Sequence, residues 1–316
     1  MGKVGTVPQL RLDGIVPAVS LPMTSDAAPD LHAYRRYLDW VVDQEPVAIA
    51  VNADTGEGPH LTPEERRAVL DAALDAVGDR VPVICGLGAA NTAQAIEAAG
   101  QARQQGAAAL LVFPIAAYLG SPLGPEVPYA YHAAIADAAD LPLILFQLQP
   151  ALGGTIFDEV VLARLVNIPS VVAIKEASFD ALRFVQLRDQ LADLRPISLL
   201  TGNDNFILES FVLGATGALI GMSAIAVREQ VEMVRSFQRG DMADARARYE
   251  RLSPLIRAVF GSPVRDYRAR IKEGLVMQGV IPDATVRPPL LPIPADDRER
   301  VRQGLEAAGL LTRQPA

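Results

Sequence analysis

The stretch Val171-Val172-Ala173-Ile174-Lys175-Glu176-Ala177-Ser178 places a lysine directly after a block of apolar residues. A short, nearly continuous apolar run is what a parallel strand buried on both faces requires, whereas a strand with one wet face alternates. Side chains two apart share a face, so Lys175 points the same way as Val171 and Ala173. If that way is the inside of a barrel, the ammonium sits where a lone charge is costly to bury.

Similar runs lie on both sides of this one: GIVPAVSLP (14–22), PVAIAVNA (46–53), VPVICGLG (81–88), AAALLVFP (107–114), LPLILFQL (141–148), ISLLTGND (197–204) and TGALIGMS (216–223). Helical patterns separate them. TPEERRAVLDAALDAV opens with Thr62 as N-cap, Pro63 at the first position and Glu65 placed for a capping box. Asn91 and Asp158 cap the patterns that follow them, and Gly106 closes one as a C-cap. An open doubly wound sheet also alternates strand and helix, but no GxGxxG follows the first run. Eight even units predict a (β/α)8 TIM barrel of the α/β class.

After the eighth run, REQVEMVRSFQRG, MADARARYERLSPLIRAVF and further helical pattern to Leu310 exceed what one barrel helix needs. The expected division is an N-terminal extension (1–13), the barrel (14–240) and a C-terminal helical appendage (241–316). Pro288, Pro289, Pro292 and Pro294 mark a loop inside the appendage.

The chain has 316 residues, a formal charge of -8 and half its residues hydrophobic. An acidic balance argues against nucleic acid, whose phosphates need a basic surface. No window approaches the roughly 18 apolar residues of a membrane span. The N-terminus lacks a signal peptide's apolar core, so a cytoplasmic location is expected. Cys85 is alone and reads as a small buried residue. His32, His60 and His132 are scattered, and no spacing suggests a metal; no cofactor is implied. Lysine occurs only at Lys3, Lys175 and Lys272. Lys3 falls in a tail and Lys272 in the charged run RARIKEG, where a solvated face is expected; Lys175 is the exception.

Barrel enzymes take their catalytic side chains from the carboxyl ends of the strands. There, burial lowers the pKa of Lys175, and a neutral amine attacks a ketone to form a Schiff base. The protonated imine withdraws electrons, so a bond one carbon further away can break, as in aldol cleavage or its reverse. A structural ion pair with Glu176 or Asp204, or a phosphate-binding role, is the competing interpretation. Asp54-Thr55-Gly56-Glu57-Gly58 offers backbone N–H groups and a hydroxyl to an anion, or is simply a tight turn that needs glycine. Asn203 and Asp204 either orient ligand or, the favoured reading, belong to a turn in which Asn205 caps the next helix.

The set TGEG (55–58) before LTPEER (61–66), the lysine in VVAIKEAS, and GND followed by GATGALIGMS resembles the dihydrodipicolinate synthase/N-acetylneuraminate lyase family. The similarity runs from about Gly14 to the helices near Gly279. It implies a TIM barrel with a C-terminal helical appendage, assembled as a homotetramer or homodimer. It implies a class I lyase in which Lys175 forms a Schiff base with pyruvate or a pyruvoyl-containing compound. The substrate-binding set that goes with it is Asp54, Thr55, Gly56, Phe146, Gln147, Gln149 and Ile220.

This chain departs from the family at two places. Asp54 replaces the first of two hydroxyl residues that bind the keto-acid carboxylate. Phe146-Gln147 stands where the family has a Tyr-Asn pair, and Phe146 has no phenol to shuttle protons. Tyr118 is nearby in sequence and is the candidate substitute. The loop QPALGG (149–154) lacks the arginine that dihydrodipicolinate synthases place there and is closer to the lyase pattern, which points away from lysine biosynthesis. An aldolase-type enzyme is the leading expectation. A dehydratase or hydratase using the same imine, and a degenerate barrel that only binds a keto acid or a protein partner, are the alternatives.

Overall fold

Every strand pairing is parallel, in the order β1-β8-β7-β6-β5-β4-β3-β2. The computed structural model describes residues 10–119 and 123–311; residues 1–9 of the expected N-terminal extension, with Lys3, lie outside them. The strands are β1 (Ile15–Pro17), β2 (Ile49–Val51), β3 (Val83–Leu87), β4 (Ala109–Val112), β5 (Leu143–Leu148), β6 (Val171–Ala177), β7 (Ser198–Thr201) and β8 (Gly217–Ile220). A parallel bridge between Ala18 and Ala50, with Val19 N donating to Ala50 O at 3.0 Å, joins β1 to β2 and closes the barrel. The strands are shorter than the apolar runs, whose remaining residues lie in the connections before and after the ladder.

The barrel helices are α1 (Leu31–Val42), α2 (Pro63–Val77), α3 (Thr92–Gln105), α4 (Glu126–Ala139), α5 (Glu159–Val166), α6 (Ala181–Ala192), α7 (Ile207–Val212) and α8 (Val227–Gln238). The expected caps form. Thr62 Oγ1 accepts from Glu65 N at 3.2 Å while Glu65 accepts from Thr62 N at 2.8 Å. Asn91 and Asp158 accept from Gln94 N and Val161 N, and Gly106 ends α3 at a φ of 105°. Asn205 corrects the expectation: Phe206 precedes α7, and the Asn205 amide turns back to Phe179 O at 3.4 Å.

Two apolar layers divide the molecule. Val16, Ala50, Ile84, Leu111, Ile144, Ala173, Leu200 and Leu219 fill the barrel interior, and Leu12 plugs its lower end. The alternate residues of the same strands, such as Ile49, Val51 and Ile174, pack against the helices. Strand β6 breaks simple alternation. Val171 pairs with Leu143 but Ala173 pairs with Ile144, so Val172 is an extra residue at a bulge. Val171 therefore faces the helices, contrary to the expectation, while Ala173 and Lys175 lie on the interior side.

Three more helices, α9 (Met242–Phe260), α10 (Tyr267–Met277) and α11 (Ala295–Ala308), follow the barrel. Buried Arg270 binds Asp297 at 2.8 Å and the carbonyls of Val259 and Gly261, joining α10 to α9 and α11. Lys272 is a correction: it is fully buried, with Nζ 2.5 Å from Glu57 and 2.7 Å from Thr285 O. Its charged neighbours in sequence suggested solvent. The helix turns this position onto the loop after β2, where Glu57, also fully buried, needs a cation.

Candidate functional site

Lys175 leaves β6 on the interior side, and the neighbouring loop makes room for it. A Cβ on Gly202 would lie 2.6 Å from Lys175 Cε and 2.9 Å from Ala177 Cβ. The amine lies over the face of Phe146, with Nζ 4.3 Å from the ring centre. Phe113 meets Phe146 edge-on at 5.1 Å, giving the lysine an apolar floor. Burial pushes the Lys175 pKa down to about 8, against the charges of Asp204 and Asp54, which favour the ammonium. An amine in that range supplies neutral nucleophile near neutral pH.

Glu176 is not its partner. It faces the helices, where Ser178 N donates to it at 2.8 Å and Asn203 Nδ2 at 2.6 Å, and burial raises its pKa. Asp204, in the loop after β7, is the buried carboxylate whose charge acts on the lysine. It accepts from Met222 N at 2.7 Å and Gly221 N at 3.4 Å, and burial pushes it up to about 6. The pair Asn203-Asp204 is thus more than a turn: Asn203 fixes the loop after β6, and Asp204 charges the site.

The loop after β2 is packed backbone against backbone. Asn52 adopts a φ of 53°, and Cβ atoms on Gly58 and Gly86 would lie 2.0 and 2.4 Å from its carbonyl oxygen. A Cβ on Gly56 would lie 2.9 Å from Val19 O, so this glycine is required for close packing at the mouth. Thr55 is buried, with Oγ1 3.5 Å from the Tyr267 hydroxyl. Asp54 accepts a hydrogen bond from Tyr267 at 2.7 Å, pairs with Arg268 at 2.5 Å, and gives its backbone oxygen to Arg268 Nε at 2.8 Å. Burial opposes its ionisation, but Arg268, Tyr267 and Lys175 together hold its carboxyl below the usual range. The Tyr267 phenol is shifted upward by burial and by Asp54, so it stays protonated and donates.

The structure brings Lys175, Phe146, Asp54 and Thr55 together, and it corrects three expected positions. Gln147 follows Phe146 on β5 and points to the opposite face, where its Oε1 accepts from Phe157 N at 3.1 Å. Ile220 packs in the outer layer, while Leu219 before it faces inward. Tyr118 is also in the outer layer. A short turn after β4 tucks its ring among Tyr131, His132 and Phe157, with its hydroxyl 3.4 Å from His132 Nδ1. Gln149 begins the loop after β5, half-buried, its N–H donating to Ala177 O at 3.2 Å. Tyr267 and Arg268 were not foreseen, because nothing in the spacing of the appendage ties it to a loop more than 200 residues earlier.

Among the described residues, no group of three or more His, Cys, Asp and Glu side chains is arranged to hold a metal. Nor is any helix long and apolar enough to cross a membrane. Cys85 faces the outer layer, and burial pushes its thiol up to about 11, far from a nucleophile's range.

A profile of the dihydrodipicolinate synthetase family matches residues 11–308. The 4-hydroxy-tetrahydrodipicolinate synthase of Gluconacetobacter diazotrophicus is 33% identical over 300 residues, covering 94% of this chain and 97% of its own. The enzyme of the same name from Moorella thermoacetica is 34% identical, covering 94% and 98%. Among solved structures, the dihydrodipicolinate synthase of Acinetobacter baumannii, complexed with pyruvate, superposes with a TM-score of 0.84 at 29% identity, covering 95% of this chain and all of that one. The Bacillus anthracis dihydrodipicolinate synthase gives 0.83 at 27%, covering 96% and 100%.

Proposed function

The chain belongs to the dihydrodipicolinate synthetase family, and on that premise we propose that Lys175 attacks the C2 carbonyl of a 2-keto acid, pyruvate or a compound with a pyruvoyl unit, in an aldolase-type lyase reaction. The observation that carries this assignment is the desolvated amine over Phe146 at the carboxyl end of β6. Attack expels water and leaves an iminium, which accepts the electron pair released when the bond one carbon further away breaks. The hydroxyl of Thr55, in the loop after β2, receives the keto-acid carboxylate. No metal or organic cofactor takes part in this scheme. The pyruvate named with the Acinetobacter relative supports the substrate class. The loop Gln149–Gly154 offers no arginine to a second carboxylate, which favours a less polar reaction partner than that of the synthases.

Borohydride reduction in the presence of pyruvate tests the assignment. The expected product is the protein carrying one reduced keto-acid adduct on Lys175, absent from Lys175→Ala. An adduct that persists in that variant would refute it.

A dehydratase working through the same imine is the second candidate, favoured by the missing phenol at Phe146 and the carboxylate at Asp54. Product analysis separates the two, since dehydration releases water and keeps the carbon skeleton whole. A cytoplasmic homotetramer or homodimer completes the proposal. Leu182 on α6 and Val212 on α7 expose 66% and 59% of their surface, as apolar positions of an assembly would in a single protomer. Sedimentation at micromolar concentration would test the assembly.

A further inference from the structure

We propose that the Asp54 carboxylate is the group that moves the C3 proton of the lysine-bound keto acid, held for that task by Tyr267 from the C-terminal appendage. The inference rests on the Schiff-base assignment of Lys175. Imine chemistry at C2 yields nothing further until a proton leaves C3, or returns to it, so some base must stand at the barrel mouth. The positions where a phenol was expected do not supply it. Phe146 has no hydroxyl, and Tyr118 is packed in the outer layer against His132.

Two carboxylates act on Lys175, and their surroundings differ. Asp204 is 4% exposed and accepts from the backbone N–H groups of Met222 and Gly221. Asp54 stands on the loop at the mouth with 34% of its side chain open. A carboxylate has about four acceptor directions. Tyr267 takes one on Oδ2 and Arg268 one on Oδ1, leaving one on each oxygen. Tyr267 itself reaches the site only beside Asp54 and Thr55, which makes it a positioning residue.

The step balances without a further reactant. The iminium draws the C3–H electrons into a C2=C3 double bond as the C=N pair returns to nitrogen, giving an enamine. The proton passes to Asp54 Oδ. It goes back to carbon when the enamine is protonated, or to a departing hydroxyl, which then leaves as water. The charged and titratable groups around Asp54 are Arg268 and Tyr267 on α10, Lys175 on β6 and His60 in its own loop. With a phenol and a guanidinium donating to it, the carboxyl stays in its basic form well into acid pH.

Pyruvate in D2O provides the test. Borohydride trapping reports the imine, and loss of the methyl signal in the proton NMR spectrum reports exchange at C3. Asp54→Asn should still trap the adduct on Lys175 while exchange falls at least about a hundredfold. Asp54→Glu should recover part of the exchange. With pyruvate saturating, so that Lys175 is already the imine, Tyr267→Phe should exchange with its acid limb moved to higher pH, because Asp54 loses a donor that favours its ionised form. Adduct-forming Asp54→Asn that exchanges at the wild-type rate would overturn the role of Asp54. An unmoved acid limb would overturn that of Tyr267. If Asp54→Asn fails to form the adduct, Asp54→Glu and Tyr267→Phe decide: exchange that recovers and a limb that moves support the proposal, and their failure overturns it. Absence of an adduct in the wild-type protein would instead remove the Schiff-base assignment.

Discussion

Lys175 Nζ sits 4.3 Å above the ring of Phe146, at the position where the family's pattern would place a tyrosine. A ring face attracts the ammonium by about 0.5–2 kcal/mol, which favours the charged amine. The same ring keeps water away, which favours the neutral one. Burial lowers the amine from 10.5 to about 8 even though the charges of Asp204 and Asp54 favour the ammonium, and Phe146 is part of the apolar surface that buries it.

Phe146→Ala should therefore move the lysine back toward its ordinary value. The amine is neutral above its pKa, so the limb of adduct formation against pH shifts to higher pH. Each unit of upward shift lowers the neutral fraction about tenfold at neutral pH. Rates of trapping with pyruvate between pH 6 and 10 read this directly. A limb that moves down would mean that the cation's attraction to the ring outweighs its desolvation.

Gly202→Ala should lower turnover by about a hundredfold, through displacement of the lysine rather than loss of it. The added Cβ would lie 2.6 Å from Lys175 Cε, inside contact distance, and a misplacement of about 1 Å is enough for a loss of that size. Steady-state kinetics and urea unfolding together check it. Overpacking of this kind costs about 1–3 kcal/mol, so a folded, slow enzyme is the expected outcome.

Thr55→Val should raise KM more than it lowers kcat. The substitution keeps the shape of the side chain and removes the hydroxyl offered to the substrate carboxylate. A hydrogen bond to a charged group contributes about 1.5–3 kcal/mol, roughly ten- to a hundredfold in KM. An unchanged KM for pyruvate would place the carboxylate elsewhere.

Lys272→Met should destabilise the protein by about 3–5 kcal/mol, because it strands the buried Glu57 carboxylate without its cation. Lys272→Met combined with Glu57→Gln should recover a large part of that loss, since no uncompensated charge is left. Urea midpoints of the single and double variants measure both. A single variant as stable as the wild type would mean that Glu57 had found another partner, such as the backbone N–H of Arg287, which already donates to it at 2.7 Å.

The eight strands, the caps at Thr62, Asn91 and Asp158, and the exceptional lysine were all legible in sequence because each is a local pattern. A run of apolar residues, a capping residue or a lone charge announces itself within one element. Misplaced positions had three physical causes. Gln147 and Ile220 failed because adjacent strand residues face opposite ways, so Phe146 and Gln147 could not both line the interior. Val171 failed because one bulged residue resets the alternation before Lys175. Lys272, Tyr267 and Arg268 were illegible because their partners, Glu57 and Asp54, lie at the far end of the chain, and the charge of a helix face says nothing about which loop covers it.

The bonds from α10 to the loop after β2 also impose an order in time. A chain is synthesised from its N-terminus, so the nucleophile at 175 is made well before residues 267, 268 and 272. A nascent barrel can complete all eight strands while the carboxylates of Asp54 and Glu57 still lack the phenol, guanidinium and ammonium that hold them. The contacts that hold these two carboxylates are therefore the last part of the site to form, after residues 267–272, in the final sixth of the chain, have emerged.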